Sequence, residues 1–248
     1  MSTFESRKKS RELNEKLIKL ALISAAAISI LTTFGILFSI LFEAIEFFKL
    51  RSFWYFITGT TWSPGVIGSQ FGALPIFAGT FVITIIALGV AIPIGLGSAI
   101  YMSEYASPKV RDYLKPLLEI LAGIPSVVYG FFAAITVAPL VVKAAEMVGL
   151  EATFNSALAS GIVMGIMIIP TISSLSDDVI RAVPDSQRKA AFGLGMTHGE
   201  TIKDIVLPSA MPGIISASLL AISKALGETM VVVMAAGLRP NLSWNPLD

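Results

Sequence analysis

Apolar residues fall into long runs separated by short polar segments, and the runs are long enough to cross a lipid bilayer. The first, residues 20–42, has 23 residues without a charged side chain, and about 20 apolar residues suffice for a spanning helix. The pattern predicts an all-α integral membrane protein, a polytopic helical bundle with five spans. The later spans are predicted at 75–102, between Glu119 and Lys143, between Glu151 and Asp177, and at 209–237.

The polar segments define the predicted organisation. Residues 1–19 form a tail, 20–42 the first transmembrane helix, 43–74 an outer loop with an interfacial segment, and 75–248 the transmembrane core with a polar loop at 184–208. A cleaved signal peptide is the alternative for the first run. Its apolar region would have about 7–15 residues and end in small residues, so we expect a retained span.

Aromatic and small residues add detail to two of these segments. Trp54, Tyr55 and Trp62 in the outer loop are typical of the membrane–water interface. Gly161 and Gly165 in the fourth run have the G-x-x-x-G spacing, which predicts close packing of helices within the bundle.

Composition agrees with a membrane protein. Hydrophobic residues make up 54% of the chain and charged residues 14%, with a mean hydropathy of +0.79, which excludes an ordinary soluble domain. The chain has no cysteine, so disulfides and thiolate metal sites are excluded. The partners that we expect include membrane lipid, and no nucleic acid is expected.

The distribution of Lys and Arg predicts the orientation. Thirteen of the 18 such residues lie before the first span, between the second and third spans, or around the polar loop, whereas four lie in the segments assigned to the outside. Because cytoplasmic segments are rich in Lys and Arg, we expect a multi-pass protein of the cytoplasmic membrane with its N-terminus and its 184–208 loop in the cytoplasm. Five spans then leave the C-terminus outside.

The polar loop has the sequence features of two short helices joined by a bend. Pro184 suits the start of a helix, and Gly195 suits a left-handed residue at its end. Thr197 and Glu200 have the spacing of a capping box, which predicts the start of a second helix. Pro208 closes the segment where the next apolar run begins.

The loop also resembles the "EAA" loop of ABC-importer permeases, E-A-A-x3-G-x9-I-x-L-P. Lys189 stands where that pattern has Glu. In the family the loop forms a coupling helix that docks on the ATPase subunit, and the alternative is a solvated connector. The matching residues are Ala190, Ala191, Gly195, Ile205, Leu207 and Pro208.

Two charges interrupt the fifth apolar run. Lys224 and Glu228 have i, i+4 spacing, so on a continuous helix they lie on one face and can pair. A charge in the bilayer costs about 2.5–3.5 kcal/mol, so the pair requires a reason. One reading is a structural salt bridge, and the other is a solute path that includes Lys224, Glu228 and the hydroxyl of Thr229.

Three further motifs are Gly123-Ile-Pro125-Ser126-Val-Val-Tyr129-Gly130-Phe131, Ser103-Glu104-Tyr105-Ala106-Ser107-Pro108, and Ala225-Leu-Gly227-Glu228-Thr229-Met230. They resemble motifs of the PstC-type permease subunits of phosphate ABC importers. The resemblance implies PstB-like ABC ATPase subunits, a PstA-like second permease and a PstS-like extracytoplasmic phosphate-binding protein as partners. Family members usually have six spans, so a last span is expected beyond Asp248, and they usually have Arg in place of Lys224.

The expected function is that of a type I ABC-importer permease subunit for phosphate, driven by ATP hydrolysis in partner subunits. A permease of the same fold for another oxyanion and a stand-alone secondary transporter or channel are the alternatives. The sequence has no phosphate-binding G-x-x-x-x-G-K-[ST] loop, so ATP binding is not expected in this chain. Without a nucleophile–base pair or a metal cluster, we predict neither enzyme activity nor a cofactor, and His198 is the single histidine.

Overall fold

A computed structural model describes residues 2–65, 68–238 and 240–247, with side chains from residue 14 onwards. Arg239, one of the four Lys and Arg residues assigned to the outside, and Asp248 lie outside the described residues. The chain divides into two compact units, residues 1–58 and 59–248. By length and composition, five of the described helical segments can cross a membrane, which confirms the predicted all-helical class and number of spans.

The first unit is a single long helix followed by a short one. Helix α1 covers Ser2–Leu50 and α2 covers Phe53–Thr58. The helix includes the predicted tail and extends beyond residue 42, because the polar residues on both sides of the apolar run are mainly good helix formers such as Glu and Lys. The rings of Phe47 and Phe48 pack edge-to-face on Phe56, which stabilises the turn between the two helices.

The second unit begins with a small hairpin, in the segment that was predicted as an outer loop with an interfacial segment. Strands β1 (Trp62–Ser63) and β2 (Gln70–Phe71) pair antiparallel, with Trp62 opposite Phe71 and their rings edge-to-face. Gly72 follows the hairpin and lies against the backbone of Gly59 so closely that no side chain fits there. The predicted loop 43–74 is therefore largely structured.

Nine helices follow in the described part of the second unit, three of them continuing through π-helical turns. They are α3 (Leu74–Ile100, continuing through Tyr101–Tyr105), α4 (Pro108–Gly123), α5 (Ser126–Phe132, continuing through Ala133–Val137), α6 (Ala138–Met147), α7 (Ala157–Ala182), α8 (Asp185–Gly193), α9 (His198–Thr201, continuing through Ile202–Val206), α10 (Leu207–Leu226) and α11 (Met230–Ala235).

The widened turns explain how helices pass through prolines. In the turns at Ala133–Val137 and Ile202–Val206, the following residue donates its N–H to the carbonyl five residues back, and Pro139 or Pro208 comes next. Proline lacks an N–H and its ring clashes with the carbonyl four residues back. The wider turn accommodates the missing donor and relieves the clash. The predicted start of the fifth span at residue 209 was therefore wrong: the spanning helix runs unbroken over His198–Leu226.

The third and fifth spans also differ from their predicted bounds. The third covers Ser126–Met147, because the chain at Ile124 and Pro125 is extended and breaks the helix. The Tyr129 hydroxyl donates to the carbonyl of Leu121 at 2.9 Å across this break. The fifth ends at Leu226, eleven residues before the predicted end at 237, because the helix breaks after that residue.

Helix α7 is the centre of the bundle and packs along α3 and α10. A Cβ at Gly161 would lie 2.6 Å from Ile86, and one at Gly165 would lie 2.8 Å from the carbonyl oxygen of Ala87. The two glycines therefore let α3 approach α7 closely, which confirms the prediction of packing within the bundle. Ala217 and Ala221 on α10 are likewise buried.

Candidate functional site

A cavity of about 330 Å³ lies at one end of the helical bundle. We call this end of the bundle the cavity end. Its walls are the N-terminal half of α3, the start of α7, the chain around the end of α10, and described residues within 236–238 and 240–245. The C-terminal segment is held to the start of α7, because the N–H groups of Thr153 and Leu158 donate to the carbonyls of Leu247 and Pro246.

Glu228 lines this cavity. Helix α10 ends at Leu226, just before it. Oε1 of Glu228 accepts hydrogen bonds from the N–H groups of Met230, at 3.0 Å, and Val231, at 3.3 Å. The carboxylate thus caps α11 and satisfies two backbone donors.

The predicted pairing of Lys224 with Glu228 is wrong for this structure, since no ion pair forms between them. The i, i+4 argument assumed a continuous helix, and α10 ends between the two residues. The Lys224 side chain is exposed, and its ammonium lies 3.4 Å from the hydroxyl of Thr171 on α7. Neither Lys224 nor the exposed Thr229 lines the cavity.

Neutral polar residues line the same cavity as Glu228, and sequence reasoning missed them. Thr80 and Thr84 lie one turn apart on α3, and that spacing is the signal that identifies them as one helix face. Gly237 has a φ of +82°, and a Cβ there would lie 3.2 Å from the amide nitrogen of Asn155. Gly237 and Asn155 are therefore close neighbours in the cavity wall. The polar lining consists of Thr80, Thr84, Asn155, Asn241, Ser243 and Asn245.

The opposite end of the bundle, the loop end, carries the two short helices predicted for residues 184–208. Gly195 has a φ of +84°, and its N–H donates to the carbonyl of Phe192 while Met196 donates to Ala191. This is the Schellman arrangement, in which a left-handed glycine ends a helix. Thr197 and Glu200 form the capping box of α9, so the predicted helix–bend–helix is confirmed.

The six residues that match the coupling-loop pattern differ in their environment. Ala191 is buried, and Ile205 and Leu207 are half-buried, so these three hold the loop against the bundle. Ala190, Gly195 and Pro208 are exposed. The loop thus presents one surface to the bundle and leaves another open.

Comparison with known proteins decides the family. Residues 91–242, more than half of the chain, match the family described as the binding-protein-dependent transport system inner membrane component. The chain belongs to this family. It is therefore the permease subunit of an ABC transporter, a non-catalytic multi-pass component of the inner membrane that works with ATPase and binding-protein partners.

Individual relatives cover most of this permease. The chain is 32% identical over 245 residues to the probable ABC transporter permease protein YqgH of Bacillus subtilis, covering 98% of this chain and 78% of that protein. It is 33% identical over 224 residues to the phosphate transport system permease protein PstC 1 of Mycobacterium bovis, covering 79% and 66%. The crystal structure of an amino acid ABC transporter with histidines aligns with 66% of this chain and 74% of its own, at 19% identity and a TM-score of 0.46.

At the loop end of the permease, ion pairs fasten α4 to α7. Arg111 donates to Asp177 at 2.7 Å, and Lys115 contacts Asp178 at 2.6 Å. Asp177 is fully buried, and its hydrogen bond raises the pKa of the Arg111 guanidinium above the ordinary value. Because a buried carboxylate requires a partner, these pairs fix the position of α4.

Proposed function

We propose that this permease subunit imports inorganic phosphate across the cytoplasmic membrane. The observation that carries the proposal is its likeness to phosphate permeases: a PstC protein of Mesorhizobium japonicum is 34% identical over 232 residues, covering 86% of this chain. A permease for a different oxyanion is the remaining alternative, and the likeness to YqgH, whose name specifies no solute, keeps it open.

In the proposed mechanism the anion passes Glu228 and Lys224. The neutral hydroxyl and amide groups of the cavity replace part of its hydration shell. Phosphate retains a proton near neutral pH, so it can donate to the Glu228 carboxylate, whereas a fully deprotonated anion is repelled. Lys224 and Thr229, both exposed in the isolated chain, would face the anion once a second permease subunit covers this side of α10.

The proposed partners are PstB-like ATPase subunits, a PstA-like permease and a PstS-like binding protein. The ATPases would dock on the open surface of the 184–208 loop, where Leu194 is 84% exposed and His198 is also exposed. The binding protein would deliver phosphate at the cavity end. The cavity and the loop lie at opposite ends of α7, which is the arrangement that this division of labour requires.

Phosphate uptake by the complete complex tests the proposal. The chain is co-expressed with its neighbouring ATPase, permease and binding-protein subunits, and labelled phosphate uptake is measured with and without excess sulfate. We expect ATP-dependent uptake that sulfate does not inhibit. Absence of phosphate uptake, or uptake of sulfate instead, would overturn the assignment.

The proposed orientation predicts the accessibility of introduced cysteines. The chain has no cysteine of its own, so single substitutions report without background. In intact cells an impermeant thiol reagent is expected to label Ser63→Cys and to leave His198→Cys unlabelled, because the second lies in the cytoplasmic loop. Labelling in the opposite sense would invert the orientation and remove the loop from the ATPase side.

The charge of Lys224 is expected to be required for uptake. Lys224→Met should lower phosphate uptake about tenfold or more at unchanged assembly, because no neutral side chain offsets dehydration of the anion. Lys224→Arg should retain uptake. Thr171→Val is the matched control, because it removes only the hydrogen bond to Lys224 and should leave uptake intact. Near-normal uptake by Lys224→Met would contradict a role for this residue in the path.

A further inference from the structure

Arg188 on α8 joins three elements at the loop end. Its guanidinium donates to a carboxylate oxygen of Glu104 at 2.7 Å, in the π-helical turn that ends α3. It also donates to the carbonyl of Ile180 at 3.0 Å and to that of Val183 at 2.6 Å, at the C-terminal end of α7. The planar guanidinium has donors enough to bind all three acceptors at once.

These bonds are shielded from water. The side chain of Arg188 is 15% exposed and that of Glu104 only 6%. The other side-chain hydrogen bond recorded between α8 and the bundle, from Ser209 to Gln187, joins two exposed residues. Charge-assisted hydrogen bonds are strong and hold their geometry best where water does not compete, so Arg188 is the firm polar attachment of α8.

The two helices that Arg188 holds at the loop end also line the cavity at the other end. Helix α3 supplies Thr80 and Thr84, and the α7 wall includes Met164. The close approach at Gly161 and Gly165 makes α3 and α7 a tightly packed pair. Because α7 is about 39 Å long, a displacement at its loop end reaches the cavity through one rigid element.

We propose that Arg188 is the positioning residue that transmits movement of α8 to the α3–α7 pair and hence to the cavity. This inference rests on the proposed docking of ATPase subunits on the loop. It assigns to one side chain the mechanical link that the loop as a whole is expected to provide. Without Arg188, α8 would move with the ATPases while α3 and α7 respond less.

The test measures the cavity directly. Thr80→Cys introduces a single thiol at the cavity wall, and the assembled complex with its ATPases is treated with a thiol reagent in the presence and absence of ATP. We expect ATP to change the labelling rate, and Arg188→Ala to reduce that change about five- to tenfold, the lower part of the range of allosteric coupling factors. ATPase binding should persist. Arg181→Ala is the matched control, since this exposed arginine at the end of α7 forms no ion pair with a described residue.

A merely structural ion pair would behave differently in two further variants. If the ion pair is merely structural, removing both charges with Arg188→Met/Glu104→Gln should restore the ATP response of the cavity thiol, because the desolvation cost disappears with the attraction. Under the present inference the double variant stays uncoupled, because the bonds to the α7 carbonyls are lost. Arg188→Lys retains the charge without the three-way geometry, and we expect it to be intermediate.

The outcomes separate this inference from the proposed substrate. A full ATP response of the cavity thiol in Arg188→Ala, or its restoration in the double variant, overturns the role of Arg188. Phosphate uptake is measured in the same Arg188 variants without the Thr80→Cys substitution. If phosphate specificity is lost while the labelling response remains and still depends on Arg188, the proposed substrate is wrong and the role of Arg188 stands.

Discussion

Gly195→Val is expected to reduce phosphate uptake to near background while the protein still inserts into the membrane. Gly195 has a φ of +84°, and an L-residue in the left-handed region costs about 1–2 kcal/mol, more with a β-branched side chain. The chain would relieve this strain by opening the Schellman turn, which moves α9 relative to α8. Weak co-purification of the ATPase subunits and little uptake are the measurements.

Gly193→Val provides the matched control for this substitution. A Cβ at Gly193 meets no atom within 4 Å, as at Gly195, but Gly193 has an ordinary helical backbone. The two variants therefore add the same side chain to the same loop, and only one strains the backbone. Wild-type ATPase binding and uptake by Gly195→Val would show that the loop is a simple connector.

Glu228→Gln is expected to lower phosphate uptake about ten- to hundredfold at unchanged assembly. The amide oxygen of glutamine can still accept from the N–H groups of Met230 and Val231, so the cap of α11 remains. The negative charge that accepts a hydrogen bond from the protonated anion is lost, and a charge-assisted hydrogen bond contributes about 1.5–3 kcal/mol. Initial uptake rates at saturating phosphate measure the effect.

Glu146→Gln is the control for loss of a carboxylate. Glu146 on α6 is exposed and forms no ion pair with any residue that the structure describes. The same isosteric change there should leave uptake unaffected. Uptake by Glu228→Gln at the wild-type rate would remove this residue from the solute path.

The loop could be predicted in detail because its conformation depends on local interactions. Gly195 ends a helix through its own φ, and Thr197 and Glu200 bond to each other's backbone within one turn. Such contacts join residues three to five positions apart, and their sequence signatures are specific. The close approach at Gly161 and Gly165 could also be predicted although it joins distant segments, because the small size of the two residues alone indicates packing.

The geometry around Lys224 could not be predicted, because it depends on where α10 ends. Hydropathy does not distinguish a continuous helix from one that breaks at Gly227, since both keep the same apolar residues in the membrane. The Glu228 carboxylate bonds forward to the start of α11 instead of backward to Lys224. The cavity also draws Asn155 and Asn241 from distant segments, and no local pattern links them.

The π-helical turn at Ile202–Val206 determines in which direction around the helix axis all later side chains of the fifth span point. It holds one residue more than an α-helical turn would, and one residue corresponds to about 100° around the helix axis. Ala217 and Ala221 pack inside the bundle, and the Lys224 ammonium reaches Thr171 on α7, only with that extra residue present. Shortening the turn by one residue would rotate the alanine stripe off α7, so the loop end determines which side chains the distant half of α10 presents.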